Sequence, residues 1–130
     1  MCIGAMDGKH VLMKKPGKSG SNFFNYKRTF SIQLLAMVDA QYRFIYVDVG
    51  CQGRIGDAGV YSNSTLSTAL EENALNIPPP QKLPSTEDTV PFVIVADEAF
   101  PLKTYILKPF AGRGLNQTER IFNYRLSRAR

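Results

Sequence analysis

At 130 residues the chain fits the size of one domain able to enclose a core, and its 44% hydrophobic and 21% charged residues exclude disorder throughout. The formal charge of +5 is unevenly spread: residues 1–30 carry six Lys/Arg against one Asp, residues 31–97 three against eight acids, and residues 98–130 seven against two. No apolar run approaches the roughly 20 residues of a membrane-spanning helix, and the opening residues do not read as a secretory leader, so an intracellular protein off the membrane is the expectation.

In chain order, Ile3 to Met6 predicts a short strand running into a turn at Asp7-Gly8. Residues 14–28, KKPGKSGSNFFNYKR, mix glycine, proline, cations and aromatics and predict a surface loop. Its Lys14, Lys15, Lys18, Lys27 and Arg28 are candidate phosphate contacts, with Phe23 and Tyr26 available to unpaired bases. The same composition also suits a solvated loop whose aromatics pack on a sheet. Phe30 to Val38 and Phe44 to Val49 predict a β-hairpin turning at Asp39-Ala40-Gln41, with Ile45, Val47 and Val49 on one face and Asp48 on the other.

Residues 50–59, GCQGRIGDAG, hold four glycines and predict turns. Ser62-Asn63-Ser64 offers caps for a helix with Leu66, Ala69, Leu70 and Ala74 on one face, stopping before Pro78-Pro79-Pro80. Residues 77–89 read as an exposed Pro-rich insertion inside a single domain, 1–130. Val90 to Ala96 predicts a strand covered on both faces and ending at Asp97, and Leu102 to Leu107 a short helix or strand. Asn116 and Glu119 form a capping-box pattern before a helix with Phe122, Leu126 and Ala129 in one stripe.

Cys2 and Cys51 sit in apolar contexts without CxxC spacing and read as buried free thiols. His10 is the only histidine, which excludes a zinc site of several His and Cys ligands. It reads as a strand-face histidine or a phosphate contact. Asp7, Asp57 and Asp97 share one local grammar: Asp7 follows an apolar strand and precedes glycine, Asp97 ends a buried strand, and Asp57 lies in a Gly-rich turn beyond a strand. Carboxylates gathered at strand ends repel one another unless a hard divalent cation joins them, and two such ions can polarise a phosphate and stabilise its leaving oxygen. Ordinary turn chemistry accounts for the same residues. Basic ends around an acidic middle suit a metal-dependent enzyme acting on nucleic acid, and equally suit solvated faces.

Four strings decide between these readings: CIGAMDGKHV, the run from Phe30 to Leu66, VIVADEAFPLKTYILKPF and LNQTERIFNYRLSRAR. In this order they resemble successive blocks of the Harbinger (PIF) transposase catalytic domain and its domesticated nuclease relatives, over almost the whole chain. The resemblance implies an α/β, ribonuclease H-like mixed sheet with flanking helices. It matches Asp7 to the first catalytic aspartate, Asp57 to the second, and Asp97 to the acid of a block written here ADEAFPL. These three would bind Mg²⁺ or Mn²⁺ for attack of water or a DNA 3′-hydroxyl on a phosphodiester, and would therefore converge in space. Asp48 is the rival to Asp57 and reads as a sheet-edge or partnered strand acid. The family's last acid, a glutamate, would fall beyond Arg130, and its helical DNA-binding region would precede Asp7. A partial domain, nicking DNA poorly or not at all while holding an ion weakly, is the expectation, with DNA and a separate DNA-binding protein as partners and the nucleus as compartment. The alternative is an inactive remnant that binds DNA or protein.

Overall fold

The computed structural model describes residues 1–130, and the first three strands form an antiparallel meander: β1 (Cys2–Leu12), β2 (Ser31–Val38) and β3 (Phe44–Gln52). In β2 burial alternates strictly, so Ser31, Gln33, Leu35 and Met37 share one buried face while Ile32, Leu34, Ala36 and Val38 share the other, half-buried one. Asp39 closes the hairpin to β3 by accepting from the backbone N–H groups of Gln41 and Arg43 and pairing with the Arg43 guanidinium at 2.7 Å. Those bonds hold the Asp39 carboxyl below its ordinary pKa.

Two short helices, α1 (Asp57–Ser62) and α2 (Thr65–Glu71), cover the Leu35 and Met37 face, where Val60, Tyr61, Leu66 and Leu70 join Met6, Ile94, Phe100 and Ile106 in one core. The Ser64 side chain accepts from Ser67 N–H at the start of α2. Asn73 (φ 53) ends it in a Schellman turn, with Ala74 N–H donating to Ala69 O at 2.8 Å. A small hairpin, β4 (Gln81–Lys82) and β5 (Thr89–Val90), then leaves the sheet. The strands β6 (Val93–Val95) and β7 (Ile106–Leu107) re-enter it in parallel, completing the order β3-β2-β1-β6-β7. The last helix, α3 (Gln117–Ala129), opens with the reciprocal Asn116–Glu119 capping box and sets Phe122 and Leu126 beside Val93, Val95 and Leu107 on the opposite face. A mixed sheet with helices on both faces is the architecture of a partial ribonuclease H-like domain. No helix is long and apolar enough to cross a membrane.

The structure corrects several expectations. There is no turn at Asp7-Gly8: β1 continues through both because β2 offers it an unbroken ladder from Ala5 to Leu12. The strand expected over Val90 to Ala96 is only three residues long, since Val90 pairs with Gln81 in the small hairpin and Pro91 has no N–H for a ladder. Asp57 begins a helix that the glycines around it concealed, and Ala74 lies past the end of the next one. Cys2 is exposed and Cys51 half-buried, both as free thiols. The Ile45, Val47 and Val49 side chains remain 47–58% exposed, because β3 is an edge strand. Pro78 to Lys82 and Pro84 to Thr89 are exposed, whereas Ile77 packs against the core.

Candidate metal centre

The register between β1 and β6 creates the site. Ala5 pairs with Val95, and there the parallel ladder stops, so Asp7 in the middle of β1 and Asp97 just past the end of β6, each two residues farther on, come together. Asp7 lies opposite Ala36 in β2 and lines a cavity with Ala5, Val38, Ser127 and Arg130, on the α3 side of the sheet. Asp57 approaches from the other side, as the first residue of α1. It reaches across at Gly8, where a Cβ would overlap its Oδ1. Gly8 thus serves as clearance for a carboxylate and not as a turn. One oxygen each from Asp7, Asp57 and Asp97 lies within 4.8 Å of the others.

Each carboxylate is held by a donor. Asp7 Oδ1 accepts from Gly8 N–H at 2.8 Å, Asp97 Oδ1 from Ala99 N–H at 2.9 Å, and Asp57 Oδ1 from Gln33 Nε2. The Arg130 guanidinium stands 3.9 Å from Asp97 Oδ2. Burial pushes the Asp57 carboxyl above its ordinary pKa, the negative charges of Asp97 and Asp7 push it further, and His10 and Gln33 oppose the rise. Asp48, in the β2–β3 ladder beside Leu35, is outside this group.

A buried polar network lies beside Asp57. His10 is paired with Gln33 across the β1–β2 ladder, and its Nδ1 is 2.9 Å from Ser31 Oγ, which also accepts from Asn25 Nδ2 at 2.8 Å. Gln33 and Ser31 are wholly buried, and Gln33 Oε1 has no partner. Both were detectable as polar residues in phase with Leu35 and Met37 on the inward face of a strand. Lys14, Lys15, Lys18, Lys27 and Arg28 are all exposed in the loop between β1 and β2, and none forms an ion pair with an acid. Of these, Lys27 has its ammonium 5.5 Å over the Tyr26 ring, which in turn packs on His10. Lys15 instead covers Phe30.

The donor set suits a hard divalent cation: three carboxylates and no soft ligand, with burial and the two neighbouring like charges together raising the pKa of Asp57. The family model described as DDE superfamily endonuclease matches residues 6–130, which include all three aspartates. The chain belongs to that family. This DDE endonuclease domain is 35% identical over 132 residues to a curated relative, Protein ALP1-like of Arabidopsis thaliana, an alignment covering 98% of the chain and 32% of the relative. The domain therefore spans about a third of the length of the curated relative it matches. No solved structure matches it.

Proposed function

We propose that this domain derives from a Harbinger-type transposase, holds Mg²⁺ or Mn²⁺ through Asp7, Asp57 and Asp97, and acts on DNA phosphodiesters. The observation that carries the reading is the convergence of three carboxylates from three separate elements within 4.8 Å. A divalent ion held there supplies Lewis-acid polarisation of a phosphate. The chain's own residues provide the rest. Gln33 fixes the orientation of Asp57, the Gly8 amide holds Asp7, and the Ala99 amide holds Asp97. Lys14, Lys15, Lys18, Lys27 and Arg28 offer positive charge to flanking phosphates. The same reading makes DNA the substrate class and the nucleus the compartment, with a separate DNA-binding protein supplying sequence recognition.

A second reading, an inactive module that binds DNA or protein, is favoured by the Arg130–Asp97 pair, since a guanidinium there competes with a cation for Asp97. Mn²⁺ calorimetry and plasmid nicking separate the two. Nicking that requires Mn²⁺ and disappears in Asp7→Ala supports the nuclease. Mn²⁺ binding without nicking supports the inactive module, and no binding at all sinks the metal centre.

A further inference from the structure

We propose that Tyr26 is a stacking platform for an unpaired DNA base beside the carboxylate cluster, with Lys27 holding the adjoining phosphate. The inference rests on the nuclease reading and adds the form of DNA that the site receives: a single strand.

Tyr26 is 78% exposed, yet its position is fixed. Its neighbour Asn25 is 3% exposed, and Asn25 Oδ1 accepts from Lys27 N–H, Thr29 N–H and the Thr29 hydroxyl at 3.0–3.2 Å. Asn25 Nδ2 donates to buried Ser31, so the loop tip is fastened to the sheet from below. The Tyr26 ring then meets His10 edge to face, centroids 5.6 Å apart. His10 pairs with Gln33, and Gln33 donates to Asp57. A short chain of contacts thus links an exposed aromatic to the Asp57 carboxylate. The loop is thus fixed by buried hydrogen bonds while the Tyr26 ring stays in water, held in place before any ligand arrives.

Charge and geometry point to a nucleic-acid strand. Lys27 lies against the ring, Lys14, Lys15, Lys18 and Arg28 belong to the same exposed loop, and none of the five has an acidic partner; aromatic rings among unpaired cations grip single strands by stacking and backbone attraction. A base arriving on Tyr26 takes the face that the Lys27 ammonium covers at 5.5 Å and frees that charge for the phosphate. Bases inside a duplex are already stacked on both faces, so only a splayed or unpaired base can use the ring.

The test is fluorescence anisotropy of a labelled single-stranded oligonucleotide and of its duplex, in Ca²⁺, with this chain, Tyr26→Ala and Tyr26→Phe. Tyr26→Ala should weaken single-strand binding by about tenfold and leave the duplex nearly unchanged, as stacking contributes roughly 1–3 kcal/mol per base. Tyr26→Phe should keep the parent affinity. Independently of any variant, a 2-aminopurine in the oligonucleotide should be quenched when the parent chain binds. Unquenched probe, or equal loss of both DNA forms in Tyr26→Ala, overturns the platform. Single-strand binding by Tyr26→Ala as tight as the parent's overturns it too, while leaving the nuclease reading standing. A parent chain that binds neither DNA form overturns both.

Discussion

Gly8 decides whether the carboxylates can meet. Any side chain at this position would occupy the space of Asp57 Oδ1, and the strand has no slack because Gly8 is paired with Leu35. Gly8→Ala should therefore lose Mn²⁺ binding and cost about 1–3 kcal/mol, the usual range for overpacking, as read by Mn²⁺ titration and urea unfolding. Parent-like Mn²⁺ affinity would mean that Asp57 can step aside without consequence. Asp57 itself carries a pH signature. Its folded pKa is raised, so its contribution to stability is fully present below the unfolded value of 3.8 and is lost as pH rises through the folded value. Asp57→Asn stays neutral throughout and keeps an acceptor for Gln33. In EDTA at neutral pH it should melt above the parent, with the gap narrowing as pH falls toward 3.8; a gap that widens on acidification would contradict the assigned strain. Asp7 and Asp97 announce themselves in the sequence by following apolar runs, and Asp57 by standing in a Gly-rich turn beyond a strand. Gly8 does not, since its role depends on a carboxylate arriving from 49 residues downstream, counting from position 8 to position 57.

Among the elements, those specified locally were the legible ones. The β2–β3 hairpin follows from alternation and the Asp39 turn, and α3 from its capping box. The six-residue α1 has no side-chain cap and is held by burying Val60 and Tyr61, a tertiary effect that no local pattern encodes. The small hairpin β4–β5 gives an element-level test. Apart from half-buried Leu83, residues 78–89 are exposed. Replacing residues 79–88 with a short turn should change stability by no more than about 1 kcal/mol, in line with surface substitutions. Ile77 differs because it touches the core. Ile77→Ala should cost about 1–2 kcal/mol, less than the roughly 2–5 of a fully buried site. Urea unfolding compares the two, and a larger loss from the loop replacement than from Ile77→Ala would make the hairpin part of the core.

At the scale of the molecule, the candidate site joins layers that otherwise meet only through the sheet. Asp57 comes from α1 on one face, Asp7 from the middle of β1, Asp97 from just past β6, and Arg130 from the end of α3 on the other face. Without a cation the three acids repel one another, and unfolding separates them; a cation that binds only the assembled cluster must therefore stabilise the whole domain. At an ion concentration about 100-fold above Kd the gain is about 2.7 kcal/mol, which for a domain of this size is a rise of roughly 10 °C in melting temperature. Calorimetric melts with and without Mn²⁺ should show this rise in the parent chain and its loss in Asp7→Asn and Asp97→Asn. Asp48→Asn is the control, because Asp48 is an acid of the same sheet outside the cluster, and it should keep the full rise. An equal rise in all four proteins would mean that Mn²⁺ binds elsewhere and that the convergence of the three aspartates is not a metal centre.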